Sequence, residues 1–193
     1  MENTEQKNEP KLETQIAQKG TALEVNYTIK NNTTDKIYIF NVPWDVDGSG
    51  KFVKARNEAY VQLMNDGTLV VAQKIPKLPV LQSVEFREIP YTTEIAAGAE
   101  FKATISLPLP IEEFNPYFPK DENTEIEEKL AERVVFEIQY IRNSEDLKAE
   151  ATAIEGAFSI WHPDLFGTVE MLESRPSPTA IKVNKRKPPF DDV

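Results

Sequence analysis

The stretch LEVNYTIKNNTTDKIYIF, residues 23–40, decides the fold of this chain. Its first half alternates apolar and polar residues, with the period of two that is typical of a half-buried β-strand. The apolar positions are Leu23, Val25, Tyr27 and Ile29. Residues 31–35 are polar and turn-forming, so we expect a hairpin there. The next segment, Ile37–Val42, is apolar on both faces and is therefore expected to be a central strand.

A second segment with two apolar faces lies at residues 134–141, and we expect it to neighbour or face Ile37–Val42 in the core. Asn65-Asp66-Gly67 separates two further alternating segments, as a tight hairpin turn does. Thr124 has the spacing of a helix capping box, so at most one or two short helical turns are expected. No strand–helix–strand alternation is present. The sequence therefore predicts an all-β, antiparallel β-sandwich of about eight to ten strands.

The opening pattern also resembles a known class of domain. L-x-V-x-Y-x-I-x-N-x-T over residues 23–33, followed by I-Y-I-F-N, resembles adjacent strands of bacterial immunoglobulin-like domains. A-G-A-E-F over residues 97–101 resembles the turn by which such domains enter a later strand. Residues 11–173 as a whole are similar to a group of uncharacterised bacterial proteins of this type. The resemblance implies an immunoglobulin-like β-sandwich and assigns no site residues.

Charge and proline content divide the chain into three regions. Residues 1–10 are polar without periodicity and are expected to be a disordered leader. Residues 11–174 are expected to form a single β-sandwich domain, and the Pro-rich, basic residues 175–193 a flexible tail. Residues 1–174 contain 17 basic and 30 acidic side chains, whereas residues 175–193 contain five and two. The predicted domain is therefore acidic and the predicted tail basic.

The composition excludes several classes of function. The formal net charge of −10 opposes binding to nucleic acid. The chain contains no cysteine and one histidine, which excludes a disulfide, a thiol nucleophile and a multi-histidine metal site. No apolar run is long enough for a membrane-spanning helix. Two compartments stay open: the cytoplasm for the sequence as written, or the periplasm or cell surface for a lipid-anchored lipoprotein whose signal segment was removed.

Asp45, Asp47, Ser49 and Gly50 follow the spacing of the first half of a calcium-binding loop. Oxygen ligands at alternate positions can wrap one Ca²⁺ ion, and the glycine allows the sharp bend. The second half of the motif fails, because Arg56 occupies the position where a bidentate glutamate is needed. Calcium binding by Asp45, Asp47 and Ser49 is one hypothesis, and an acidic turn at the end of a sandwich is the structural alternative.

Aromatic residues in or beside predicted loops are candidate binding residues: Trp44, Phe114, Tyr117, Phe118 and Trp161. Exposed aromatic side chains anchor partner proteins or stack on sugars. Aromatic side chains at the open ends of a sandwich can instead plug its core, and solvent exposure distinguishes the two cases. No catalytic residue is assigned, because His162 is not accompanied by a nucleophile motif.

These features favour a non-catalytic binding module that recognises another protein through loops or an edge strand. One alternative is a hydrolase that uses acidic residues in a cleft, which requires two carboxyl groups within about 5–10 Å of each other. Another is a calcium-dependent carbohydrate-binding module. No cofactor other than calcium is expected. The segment after the second strand, residues 43–50, is a predicted loop and the first place to look for function.

Overall fold

The computed structural model describes residues 9–78, 87–118 and 120–187. Over these residues the chain is an all-β sandwich with fifteen strands and one helix of four residues. The elements are β1 (Lys11–Lys19), β2 (Ala22–Lys30), β3 (Ile37–Val42), β4 (Trp44–Val46), β5 (Phe52–Lys54), β6 (Tyr60–Leu63), β7 (Thr68–Gln73), β8 (Tyr91–Ile95), β9 (Glu100–Pro108), β10 (Ile111–Glu112), β11 (Glu125–Arg142), β12 (Lys148–Ala151), β13 (Ala157–Trp161), α1 (Leu165–Thr168), β14 (Glu170–Glu173) and β15 (Ser177–Lys187). In the described part of the chain, no helix is long and apolar enough to cross a membrane.

Two main sheets form the sandwich. The small sheet has the order β1-β2-β9 and is antiparallel throughout. The large sheet has the order β10-β15-β11-β3-β8-β13-β12, with β14, β7 and β6 attached to it. Its β7–β11 and β10–β15 pairs are parallel, so the large sheet is mixed, whereas the sequence predicted an antiparallel one. Parallel pairing requires a long crossover, which the residues between β7 and β11 supply.

Residues 23–40 do not form the expected hairpin. β2 lies in the small sheet between β1 and β9, whereas β3 lies in the large sheet between β11 and β8. The polar turn at residues 31–36 therefore carries the chain from one sheet to the other. The predicted strands themselves are present, and the inward residues of β2 are at most 3% exposed: Leu23, Val25, Tyr27 and Ile29.

β11 is the longest described strand and joins most of the large sheet. Its first half pairs with β15, and its second half pairs with β14 on the same edge. On the opposite edge it pairs with β7 and then with β3, where Tyr140 lies opposite Ile39. The expectation that residues 134–141 neighbour Ile37–Val42 is therefore confirmed.

β3 and β11 are buried on both faces because apolar clusters lie on opposite sides of the large sheet. Ile37 and Ile39 face the small sheet and belong to the main cluster. Their neighbours Tyr38 and Phe40 point the other way, as successive strand residues do, and belong to a second cluster. The second cluster also contains Ile75, Ile141, Ile160 and Leu165. Two separate cores thus explain the two-faced apolar pattern.

Asn31 is fully buried and links two of the three connections that cross between the sheets. Its side-chain amide group donates hydrogen bonds to the carbonyl oxygens of Asp35 (2.8 Å), Ile95 (3.0 Å) and Ala96 (3.1 Å). Its side-chain oxygen accepts from the N–H (3.1 Å) and the hydroxyl (2.7 Å) of Thr33. Two of these contacts lie where β8 leads into β9, and the others lie in the turn between β2 and β3. One amide therefore ties both crossings together.

The predicted flexible tail is wrong for the part that the structure describes. Residues 177–187 form β15, which pairs with the first half of β11. Ile181 and Val183 are buried in the main cluster. Lys182 and Lys187 form ion pairs with glutamates of β11. The strand is not predicted from the sequence, because its lysines alternate with its core residues and make the segment basic overall.

The structure also differs from the sequence predictions in one helix and in the number of strands. β11 begins at Glu125, where helical turns were expected after Thr124, because backbone pairing with β15 satisfies this segment instead. The described residues contain fifteen strands rather than eight to ten, because the short β4, β5, β10 and β12 lie in segments assigned to loops or connections and β15 lies in the predicted tail. Residues 1–8 and 188–193, which belong to the predicted leader and tail, lie outside the described residues.

An isosteric change at Asn31 tests the link between the crossings. Asn31→Asp keeps the shape of the side chain but places an oxygen against three carbonyl oxygens. We expect the free energy of unfolding in urea to fall by about 3 kcal/mol. The matched variant Asn32→Asp alters an exposed neighbour and should stay within about 0.5 kcal/mol of the native protein. Equal losses in the two variants would contradict the proposed link.

Candidate functional site

The segment that follows β3 forms a hairpin rather than the expected loop. β4 and β5 pair antiparallel, with Val46 opposite Phe52. The turn between them is closed by a hydrogen bond of 2.9 Å from the Asp47 N–H to the Lys51 carbonyl oxygen. Within the described residues, these two strands form a sheet of their own. We call residues 44–54 the aromatic hairpin.

Asp47 caps the turn of the aromatic hairpin. Its Oδ1 accepts hydrogen bonds from the Ser49 N–H (2.8 Å), the Ser49 hydroxyl (2.6 Å) and the Lys51 N–H (3.0 Å). The hydroxyl of Ser49 is the largest cause of a lowered pKa at Asp47. Asp45 accepts from the Val46 N–H at 2.7 Å. Across the described ranges, no group of three or more His, Cys, Asp or Glu side chains could hold a metal ion. The candidate calcium ligands thus form a hydrogen-bonded turn.

Trp44 attaches the aromatic hairpin to the large sheet. Its Nε1–H donates to the Ile89 carbonyl oxygen at 2.8 Å, and its ring stacks on Tyr91 with 5.8 Å between ring centroids. Phe52 meets Trp44 edge-on at 5.1 Å and lies 6.3 Å from Tyr91. These centroid distances are those of attractive aromatic pairs. The three rings therefore form one cluster.

The aromatic hairpin also exposes apolar side chains. Val46 is 48% exposed, Phe52 44% and Val53 37%. Val46 and Phe52 lie on the same face because they are opposite each other in the antiparallel pair. An exposed apolar surface of this kind is suited to contact with another molecule.

Two more of the predicted aromatic residues lie near the base of the aromatic hairpin. The Tyr117 hydroxyl accepts a hydrogen bond of 2.9 Å from the Glu88 N–H. Phe114 stacks on Tyr60 with 6.2 Å between centroids. Burial, and then the charge of Glu88, raise the pKa of Tyr60, which places the two groups close together. Trp44, Phe114 and Tyr117 therefore gather around the segment that leads into β8.

The other two predicted aromatic residues lie elsewhere. Phe118 is half-buried, and its carbonyl oxygen accepts a hydrogen bond from the Arg186 guanidinium. Trp161 on β13 is 56% exposed, and the Lys148 Nζ lies 4.9 Å from its ring centroid in a cation–π contact. The structure thus brings three of the five candidates together and leaves two apart.

Asp45 and Glu88 bring two carboxyl groups to the base of the aromatic hairpin. Burial, and then the negative charge of Asp45, raise the pKa of Glu88. The nearby depression lined by Tyr60 and Phe114 has a volume of about 60 Å³. Ligand pockets usually reach about 300–1,000 Å³. That depression is therefore smaller than a typical ligand pocket, and neither Asp45 nor Glu88 lines it.

Glu113 is a buried carboxylate, only 1% exposed, that links three segments of the chain. Its Oε1 accepts from the Leu63 N–H at 2.7 Å, and its Oε2 accepts from the Arg186 N–H at 2.8 Å. Burial raises the pKa of Glu113, and these two donors counteract part of the rise. Because Phe114 follows directly in the chain, Glu113 fixes one side of the aromatic region to β6 and β15.

Three residues of this region are not predicted from the sequence, because they belong to no functional motif: Phe52, Tyr91 and Glu113. Phe52 could have been found, because apolar residues lie on both sides of the turn-forming D-G-S-G, as in a hairpin. Tyr91 and Glu113 become site residues only through contacts with segments that are distant in the sequence.

The fold and the site define a β-sandwich that carries an aromatic hairpin with an exposed apolar surface. The chain matches no protein-family model, no curated protein and no solved structure. The inference of function therefore depends on the geometry of the site.

Thermal melting with and without calcium tests the capped turn at Asp47. Because Ser49 and Lys51 already occupy its Oδ1, we expect the same melting temperature in excess CaCl₂ and in excess EGTA. A ligand of the native state must raise stability, so a calcium-dependent rise would contradict the capped turn. Asp47→Ala is the control, since it should lower the melting temperature equally in both solutions.

Removing one acceptor from Glu113 tests its structural role. Glu113→Gln leaves one backbone N–H without an acceptor, so we expect a loss of about 1–3 kcal/mol in the free energy of unfolding. Burial raises the folded pKa above the ordinary value of 4.5, so the contribution of Glu113 is fully present below that value. It falls as the pH rises through the folded pKa. The loss should therefore be larger at low pH than at neutral pH.

The exposed neighbour Glu112 provides the control for this variant. Glu112→Gln removes only a surface ion pair with Lys120 and should change stability by less than about 0.5 kcal/mol. A loss at Glu113→Gln that is no greater than at Glu112→Gln, or that grows with rising pH, would contradict the structural role.

Proposed function

We propose that this chain is a non-catalytic β-sandwich module that binds another protein through the aromatic hairpin. The observation that carries the proposal is the exposed face of Val46 and Phe52 beside the Trp44–Tyr91 stack. Aromatic side chains held at a surface contribute large contact areas and are frequent hot spots of protein interfaces. The bond from the Trp44 indole to Ile89 fixes that ring before any partner arrives, which lowers the entropy cost of binding.

The surroundings of the hairpin also support binding of a protein. Exposed polar side chains lie on the same hairpin, namely Asp45, Asp47, Lys51 and Lys54. An apolar centre within a polar rim is the usual anatomy of a protein interface. The larger concavity, of about 450 Å³, lies on the outer side of the small sheet and is lined by residues of β1, β2 and β9, most of them with polar side chains. Neither concavity offers the mostly apolar enclosure that small ligands use.

The alternatives from the sequence have weaker support. A hydrolase would draw on Asp45 and Glu88, where the charge of Asp45 helps to raise the pKa of Glu88, but neither carboxyl group lines the depression beside Tyr60 and Phe114. Calcium-dependent carbohydrate binding would draw on Asp47, whose Oδ1 already accepts three hydrogen bonds. Membership of the immunoglobulin-like class remains a prediction from the opening pattern.

Site-specific photo-crosslinking tests the proposal. A benzophenone amino acid replaces Phe52 in one variant and Leu130 in another. Leu130 on β11 is 55% exposed and serves as the matched control for non-specific hydrophobic association. Each variant is irradiated in an extract of the source cells, and adducts are resolved by mass. We expect a discrete protein adduct at position 52 that disappears when Val46→Ser is added, and no such adduct at position 130.

Two results would contradict the proposal. One is the absence of any adduct at position 52. The other is the same set of adducts at positions 52 and 130, because the aromatic hairpin would then be no more selective than any exposed apolar residue.

A further inference from the structure

β9 is a long, regular edge of the small sheet. It pairs with β2 over nine residues without a register shift, from Glu100 to Pro108. No second strand pairs with β9 among the described residues. At the two ends of the large sheet, β10 has two residues and β12 has four. Short edges resist association, which leaves the two nine-residue edges of the small sheet, β1 and β9. β14 approaches part of β1, so β9 is the more open of the two.

The phase of the β2–β9 ladder shows which backbone groups of β9 are free. Asn31 N–H donates to the Ala99 carbonyl oxygen, and Leu109 N–H donates to the Thr21 carbonyl oxygen. Residues of an antiparallel strand bond to their two sides alternately, so the odd residues of β9 bond to β2. The even residues therefore direct their N–H and C=O groups away from β2: Glu100, Lys102, Thr104 and Ser106. Pro108 has no N–H and ends this row.

Three of the four inward side chains of β9 are incompletely covered, and the fourth, Ile105, is buried. Phe101, Ala103 and Leu107 are half-buried, whereas the inward residues of the central strand β2 are fully buried. A strand added beside β9 would cover these apolar side chains and bond to the four free residues. Removing apolar surface from water favours such pairing.

We propose that β9 pairs antiparallel with β9 of a second copy of this chain, which gives a continuous sheet across the two copies. With the two-fold axis at Ala103, Glu100 lies opposite Ser106 of the second copy, and Lys102 lies opposite Thr104 of the second copy. All four free residues are then satisfied reciprocally, as an interface between identical surfaces requires. The small side chain of Ala103 allows the close approach of a non-hydrogen-bonded pair at the axis.

The charge distribution favours a second copy at this edge. The chain carries a net charge of −10, which opposes self-association elsewhere. The three strands of the small sheet contain four lysines and three glutamates, a net charge of +1. Several of these charges already pair within the sheet, as Lys30 does with Glu13 and Glu100. Two copies therefore meet least repulsion where their small sheets join. This inference does not depend on the aromatic hairpin.

Cysteine crosslinking tests the proposal, because the chain has no cysteine of its own. In Ala103→Cys the two thiols meet at the axis, within the Cα separation of about 4.4–6.8 Å that a disulfide needs. Ala17→Cys places a thiol at a half-buried alanine of β1, where the two copies lie about 24 Å apart, five strand spacings. We expect a covalent dimer of Ala103→Cys to form at least about tenfold faster than one of Ala17→Cys under mild oxidation.

Sedimentation of a cysteine-free pair of variants supplies the second measurement. Thr104→Pro removes a free backbone N–H and leaves the backbone bonds between β9 and β2 in place, so it should convert the native dimer into a monomer. Thr104→Val is the matched variant, because both changes remove the hydrogen bond from the Thr104 hydroxyl to Asn26 of β2, and it should remain a dimer. A native chain that sediments as a monomer at 100 μM would overturn the proposal. So would a dimer that persists in Thr104→Pro, or equal crosslinking rates at positions 103 and 17.

Discussion

The buried amide of Asn31 is the interaction on which the arrangement of the two sheets depends. Two of the three connections between the sheets converge on it, one after β2 and one before β9. A buried polar group is stable only when its hydrogen bonds are made, and Asn31 makes five. The same residue thereby fixes β2 above β3 and sets the register in which β9 joins β2. The main core forms between the sheets that these crossings align.

The fold leaves two surfaces that it does not use itself. The large sheet is covered on both faces around β3 and β11, so its centre offers little to a partner. The aromatic hairpin forms a sheet of its own and exposes apolar residues at 37–48%. β9 keeps a row of backbone donors and acceptors at the rim of the small sheet. We propose a foreign protein for the first surface and a second copy for the other, and such a dimer would present two aromatic hairpins.

Much of the fold can be predicted from the sequence, because alternating apolar and polar residues indicate a strand buried on one face, and continuous apolar runs indicate a strand buried on both faces. The pattern at Leu23–Ile29 identifies a half-buried strand, and the runs at β3 and β11 identify central strands, which the structure places side by side. The hairpin expected over residues 23–40 fails because a polar turn does not show whether the strands that it joins pair or separate. The sequence does not predict β15 as a strand, because lysines lie between and close to Ile181 and Val183 and give the segment the composition of a basic tail. At the site, the sequence identifies Trp44 as an aromatic residue beside a predicted loop. Tyr91 becomes a site residue only because the fold stacks it on Trp44.

Native-state hydrogen exchange at the crossings is the most direct measurement of this account. The Asn31 N–H donates to Ala99 at 2.9 Å, and the Gly98 N–H donates to Asn31 at 2.8 Å. If the buried amide holds the sheets together, these two amides should exchange only through global unfolding, with the same opening free energy as Val25 and Ile39 in the core strands. Exchange of Asn31 and Gly98 through a local opening of much lower free energy, while Val25 and Ile39 stay protected, would contradict it.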